Sequence, residues 1–277
     1  MTKARIEARF AQLKRDGRAA FVAYVMAGDP DAATALKILK GLPAAGADLI
    51  ELGFPFSDPM AEGPPIQRAA QRALAGGMTL SGTLELVRAF REGDPATPII
   101  LMGYMNPLLH RGFEAFARDA AQAGVDGLIV VDCPPEEAQP LIDALDPVGL
   151  ALIRLATPTS DAARLKVIVK GTSGFVYYVS VAGVTGVKEA DEKAVAPRVE
   201  AVRAASGLPV AVGFGIKTPE RAAAIARVAD AVVVGSALVD EVAEAVKMNE
   251  DVTDRVLLKA ESLAKAVRAA RIGQKTV

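Results

Sequence analysis

Eight short apolar runs recur along the 277-residue chain, each followed by a Gly- or Pro-containing break and then a helical pattern. They cover residues 21–27, 48–52, 98–102, 127–131, 150–155, 175–179, 209–212 and 231–234. Most are apolar at nearly every position rather than at every second one, as parallel strands covered on both faces must be. Between them lie Ala-rich segments of 3.6-residue periodicity, which predict helices over 31–45, 66–75, 79–91, 113–122, 135–145, 160–169, 195–204, 219–227, 237–246 and 252–270. A weak repeat supports the reading. Ala45-Gly46-Ala47-Asp48 and Ala123-Gly124-Val125-Asp126 each use a glycine to end a helix and pass the chain into a strand, and Val228-Ala229-Asp230 plays a similar part. Eight β-then-α units without a Ser/Gly/Pro linker predict an α/β fold: a single TIM-barrel domain, (β/α)8, over residues 1–277, with an extra N-terminal helix. The competing doubly wound sheet, in its dinucleotide-binding form, would place G-x-G-x-x-G after the first strand, where the chain has Met26-Ala27-Gly28-Asp29-Pro30.

Composition narrows the classes of function. A formal net charge of −1 and the lack of any aromatic-interleaved basic patch argue against nucleic acid or an anionic membrane as the main partner. The longest apolar runs are strand-sized, so no membrane span is expected. The opening residues read as a charged amphipathic helix rather than a signal segment. The single cysteine, Cys133, excludes an internal disulfide and suits a reducing cytosol. The expectation is a soluble, cytoplasmic protein. One His and one Cys among scattered carboxylates predict no metal site.

In a (β/α)8 barrel, chemistry belongs at the C-terminal ends of the strands. The second strand carries a lone carboxylate, Glu51, near its end, and the Gly- and Pro-rich loop beyond holds Asp58 and Glu62. An acid on an apolar strand is expected to be paired or to have a raised pKa, and a raised pKa is what a proton donor needs at neutral pH. At the other junctions Asp29 and Asp132 read as caps of the following helices. Asn106 before Pro107 reads as a turn, His110 as a surface residue at a helix start, and Cys133 as a passive loop residue. Glycines follow the last three strands: Gly183 and Gly186, then Gly213 and Gly215, then Gly235 before Ser236 opens a helix. They serve tight turns, or they let backbone N–H groups approach a phosphate in the loop 7 and 8 position typical of this fold. Lys217 opens a helix rather than standing in an apolar strand, so Schiff-base chemistry is not expected and acid–base chemistry remains.

The run from Glu51-Leu52-Gly53-Phe54-Pro55-Phe56-Ser57-Asp58-Pro59-Met60 to Ala61-Glu62-Gly63-Pro64 closely resembles the signature of tryptophan synthase alpha subunits. The likeness continues through Gly28-Asp29-Pro30, Tyr104-Met105-Asn106, Asp132-Cys133-Pro134, Gly183-Val184-Thr185-Gly186, Gly213-Phe214-Gly215 and Gly235-Ser236, and so spans nearly the whole chain. It implies retro-aldol cleavage of indole-3-glycerol phosphate to indole and glyceraldehyde 3-phosphate. By motif position Glu51 is the acid that protonates the indole ring carbon. Glu62 takes the proton from the glycerol hydroxyl or steadies the indole N–H, and Tyr177 flanks the acid. Gly186, Phe214, Gly215, Gly235 and Ser236 match the phosphate cradle. Tyr24, Met102, Ile129 and Leu155 fall where the family lines its indole pocket, and each is also a plausible barrel-core residue. The resemblance implies a beta subunit as partner in an alpha2beta2 assembly. It assigns pyridoxal phosphate to that partner and no cofactor to this chain, and it implies ordering of the strand-2 loop and of the polar 183–193 segment when ligand or partner binds. Many members of that family carry Asp where this chain has Glu62, and Phe175 stands where an aromatic is often Tyr.

Overall fold

Strands that are apolar on both faces need cover inside and outside, and a closed barrel within a ring of helices supplies both. The computed structural model describes residues 3–180, 192–213 and 215–272. Its strands β1 (Ala20–Met26), β2 (Leu49–Gly53), β3 (Ile99–Gly103), β4 (Gly127–Val130), β5 (Ala151–Ala156), β6 (Val176–Val179), β7 (Val210–Gly213) and β8 (Ala231–Val234) pair in chain order, and β8 returns to β1. All the pairings are parallel. The helices are α1 (Lys3–Arg15), α2 (Ala32–Gly41), α3 (Pro64–Ala75), α4 (Leu80–Arg91), α5 (Met105–Arg111), α6 (Phe113–Ala123), α7 (Gln139–Leu145), α8 (Ala162–Val169), α9 (Glu192–Ser206), α10 (Pro219–Ala226), α11 (Ser236–Met248) and α12 (Val252–Ala269).

Two apolar layers result. One lies between the strands' outer faces and the helices. The other fills the barrel with Val22, Leu49, Ile100, Ile129, Ile153, Phe175 and Val233, and Ile6, Phe10 and Leu13 of the extra helix α1 join it. The Phe10 ring meets Phe175 at 5.7 Å, so α1 closes the N-terminal end and leaves the C-terminal end open. Side chains alternate along a strand. Inward Leu49 therefore puts Glu51 inside the barrel one step nearer the open end, and Phe175 does the same for Tyr177.

The repeat has a structural reason that its sequence did not show. Each aspartate that opens a strand accepts the backbone N–H at the start of the strand before it: Asp48 from Phe21 at 2.9 Å, Asp126 from Ile99 at 2.8 Å and Asp230 from Val210 at 2.8 Å. Arginines neutralise them, Arg18 at Asp48, Arg5 and Arg91 at Asp126, and Arg203 at Asp230. These carboxylates fix register where strands enter the barrel. Asp126 is fully buried, so Asp126→Ala takes the carboxylate from the Arg91 guanidinium and the acceptor from the Ile99 N–H. Breaking a buried pair from one side costs about 3–5 kcal/mol, and the loss is expected as a lower urea midpoint at unchanged m-value.

Four local expectations are corrected. Residues 105–111 form α5, in which Asn106 and Pro107 lie in the first turn, where a missing N–H breaks no bond, and His110 lies in the last turn instead of at a start. The cap that makes this helix possible is remote: Asp132, in the loop after β4, accepts from Met105 N at 2.8 Å and does not cap the helix that follows it. Asp29 is no cap either. Asp31 caps α2, while Asp29 is buried and grips Arg72 of α3 with both oxygens, at 2.7 and 2.8 Å.

Candidate active site

The open end of the barrel holds a cavity of about 580 Å³, counting its mouth. Glu51, Glu62, Tyr24, Met102, Tyr177, Gly215, Gly235 and Ser236 all line it, as do Gly63, Ile66, Ile216, Lys217 and Val233. Ile129 and Leu155 are not among its lining residues. They belong to the barrel's inner layer, in register with Met102 and Tyr177 respectively. Gly186 and Phe214, and residues 183–191 of the polar segment, lie outside the described residues.

Glu51 is 1% exposed, and neither carboxylate oxygen has a hydrogen-bond partner among the described residues. Loss of water first, and the Glu62 carboxylate second, push its pKa up to about 8. Glu62 keeps part of its surface open, yet loss of water around its carboxyl raises it to about 7. At neutral pH the deeper acid therefore holds its proton while the shallower one is partly ionised. The two phenols beside them remain protonated. Desolvation raises both well above the ordinary tyrosine value, followed at Tyr24 by Glu62 and Glu51 and at Tyr177 by Glu51 and Glu62.

The tyrosines sit where they do because two strands end in glycine. A Cβ at Gly53 would lie 2.3 Å from the Tyr24 hydroxyl oxygen, and one at Gly213 would lie 2.0 Å from that of Tyr177. Gly53 belongs to the strand-2 motif, but only the closed barrel shows what it makes room for. Gly213→Ala is expected to displace the Tyr177 ring. Misplacement by about 1 Å can cost on the order of a hundredfold in rate, so kcat should fall steeply while the circular dichroism spectrum keeps its shape.

Glu62 rides on a loop that is held from one side. Its neighbour's amide, Ala61 N, donates to the Tyr104 hydroxyl at 3.1 Å, and the Tyr104 ring stacks on Phe56 at 5.4 Å. The Glu62 carbonyl accepts from Gln67 Nε2 of α3 at 2.8 Å. Tyr104, of the Tyr104-Met105-Asn106 segment, thus positions the loop that carries Glu62. Asp58, the other acid of this loop, is exposed, accepts from the Ser57 hydroxyl and does not line the cavity.

Across the cavity, Gly235 and Ser236 stand at the N-terminus of α11. Backbone N–H groups and the helix dipole there suit an anion. Gly215, in the left-handed region at φ 74°, turns the chain after β7 toward the same side. Lys217 precedes Thr218, the N-cap of α10, and reaches Asp240 at 3.4 Å. The cavity thus joins an anion-accepting wall to an acid pair between aromatic and aliphatic side chains. No group of three or more potential metal ligands occurs among the described residues, and none of their helices is long and apolar enough to cross a membrane.

Residues 10–268 match the family model described as Tryptophan synthase alpha chain. A tryptophan synthase alpha chain from Phenylobacterium zucineum is 80% identical over 277 residues, covering all of both chains. One from Caulobacter vibrioides is 74% identical over 275 residues, 99% of this chain and all of that one. The crystal structure of tryptophan synthase subunit alpha from Legionella pneumophila superimposes with a TM-score of 0.89 at 41% identity, covering 95% of this chain and 98% of that chain. A Mycobacterium tuberculosis tryptophan synthase structure gives 0.85 at 38% identity, with the same coverage.

Proposed function

The chain belongs to the tryptophan synthase alpha chain family, and from that premise we propose that Glu51 and Glu62 are the proton donor and the proton acceptor of its reaction. The reaction is retro-aldol cleavage of indole-3-glycerol phosphate to indole and glyceraldehyde 3-phosphate. The observation that carries the assignment is the dry carboxyl of Glu51 at the cavity wall, without a hydrogen-bond partner among the described residues and held protonated at neutral pH.

Protonated Glu51 gives its proton to the indole ring carbon that bears the glycerol chain, which turns the ring into an electron sink. Ionised Glu62 takes the proton from the hydroxyl on the adjoining carbon. The O–H electrons form the aldehyde, the C–C bond breaks, and its electrons restore the aromatic ring. Glu51 ends ionised and Glu62 protonated, so one proton must pass back before the next turnover. Tyr177 flanks Glu51 and keeps water from it. Gly215, Gly235 and Ser236 hold the phosphate, with Gly186 and Phe214 completing the cradle by motif position. Tyr24 and Met102 face the indole, with Ile129 and Leu155 on the neighbouring strands completing the pocket by motif position.

Proton transfer suffices for this bond cleavage, so the chain works as one barrel domain without a cofactor or metal of its own. Its partner is a beta subunit that carries pyridoxal phosphate, receives the indole and assembles with it as alpha2beta2 in the cytoplasm. Activity needs Glu51 protonated and Glu62 ionised together. The pH profile of kcat/KM is therefore expected to be bell-shaped, rising near about 7 and falling near about 8, with apparent values that belong to the pair. The assignment is tested by indole release from the purified chain, alone and with its cognate beta subunit. Slow release alone and faster release with the partner is the expected result. No indole in either case, with beta activity still stimulated, would make the chain a binding subunit without chemistry.

A further inference from the structure

A phosphomonoester carries about two negative charges near neutral pH, and the cavity that receives it already holds two carboxyls, Glu51 and Glu62. The backbone amides and helix end of the facing wall supply only partial charge, about half a unit for a whole helix N-terminus. Among the described residues that line the cavity, one carries a full positive charge: Lys217. It stands between β7 and α10, two residues after Gly215 and one before the N-cap Thr218. That this cavity takes a ligand rests on more than the helix end. Glu51 also faces it, 1% exposed and without a hydrogen-bond partner among the described residues.

One contact places the Lys217 ammonium. Its Nζ lies 3.4 Å from Asp240 Oδ2. Asp240 follows Ser236 by four residues in α11, so the two share a face of that helix, about 6 Å apart along its axis at 1.5 Å per residue. Helical side chains lean back toward the N-terminus. Asp240 therefore holds the ammonium beside the end of α11 at which Gly235 and Ser236 line the cavity.

The contact is one that exchanges readily. The Lys217 and Asp240 side chains are 59% and 38% exposed, and such a pair adds little stability. The Arg72–Asp29 pair differs on each count, closing with two bonds of 2.7 and 2.8 Å on a buried carboxylate. A lysine ammonium is a point charge on a flexible four-carbon stem, so a change of rotamer moves it from Asp240 toward the α11 terminus. At equal distance a phosphate dianion attracts it about twice as strongly as one carboxylate does.

We infer that Lys217 is the cationic arm of the phosphate site: Asp240 holds its ammonium at the cavity rim, and the phosphate dianion of the substrate draws it over to close the cradle of Gly215, Gly235 and Ser236. This rests on the reading of that wall as the phosphate site, and adds to it a side chain that binds and a second, Asp240, that positions the first. The charge acts on the phosphate, away from the acid pair, so it stabilises bound substrate and transition state alike and shows in affinity.

The probe is glycerol 3-phosphate, titrated calorimetrically into the full chain at fixed ionic strength, with glycerol as the uncharged control. Lys217→Gln is expected to weaken its binding about tenfold, the order of one charge pair at a partly exposed site, and Lys217→Arg to keep most of it. Asp240→Asn releases the ammonium and should tighten binding severalfold, with the gain reduced in the double variant Lys217→Gln/Asp240→Asn. With indole-3-glycerol phosphate, Lys217→Gln should raise KM far more than it lowers kcat. Equal affinity of the wild type and Lys217→Gln overturns the inference and leaves the backbone cradle standing. A wild-type chain that binds no glycerol 3-phosphate removes the phosphate site and the inference together. An Asp240→Asn protein that binds no tighter than the wild type overturns the part given to Asp240. Binding that depends on Lys217 in a chain that releases no indole supports the inference while the cleavage reading fails.

Discussion

Glu51→Gln is expected to lower kcat for indole release by about 10²–10⁴-fold, the usual worth of a positioned general acid. The amide keeps the shape of the side chain and leaves the proposed phosphate and indole contacts in place, so KM should change far less than kcat. The same variant carries a second signature, in stability. An unfolded chain loses the Glu51 proton near 4.5, whereas the folded one keeps it to about 8. Between those values the folded state binds more protons, so this group makes stability fall as pH rises. At roughly 1.4 kcal/mol per pKa unit, the penalty above pH 8 is several kcal/mol. Glutamine has no such dependence. Urea unfolding of the two proteins should therefore diverge in favour of the variant from about pH 5 to about pH 8 and stay parallel beyond it. Equal pH dependence would mean that Glu51 ionises normally in the fold.

Glu62→Gln is expected to cost kcat by a similar factor, about 10²–10⁴, because on the proposed assignment the glycerol hydroxyl then has no acceptor. Its effect on the pH profile separates it from Glu51→Gln. The rising limb near about 7 should disappear with Glu62. Glu51, relieved of the charge that is the second cause of its shift, should titrate lower, since burial alone then raises it. Glu62→Asp keeps the acid and shortens its reach. The loop position set by Tyr104, Phe56 and Gln67 suits the longer side chain, so a rate loss of up to about a hundredfold is expected from misplacement, with the pH limbs retained. Steady-state kinetics of the three proteins across pH 5 to 10 checks both statements. If Glu62→Asp were as inactive as Glu62→Gln, reach would outweigh protonation.

The barrel was legible in the sequence because its strands must be apolar on both faces, and a run such as 98–102 or 231–234 has no other comfortable home. Glu51 was legible for the complementary reason: a lone acid in such a run has to be explained. What was not legible depends on contacts between distant segments. Helix α5 starts where Asp132, 27 residues on, supplies its cap. The repeated aspartates looked like helix-to-strand punctuation, yet they pin the start of the preceding strand, a pairing that exists only once neighbours lie side by side. Asp29 resembled a cap until Arg72, on a helix beyond the next strand, came to meet it. Gly53 stood in the strand-2 motif without a task and Gly213 as a tight turn or a phosphate contact, and their making room for Tyr24 and Tyr177 appears only with the barrel closed. Arg154 carried the same signal as Glu51, one charge in an apolar strand, on the face that alternation turns away from the cavity.

The central claim is that burial keeps Glu51 protonated where the reaction needs a proton. A carbon-13 NMR titration of the glutamate side-chain carboxyls tests it directly, with Glu51→Gln identifying the resonance. The account predicts a midpoint near about 8 for Glu51, moving down in Glu62→Gln. A Glu51 carboxyl that titrates in the ordinary range, near 4.5, would contradict it.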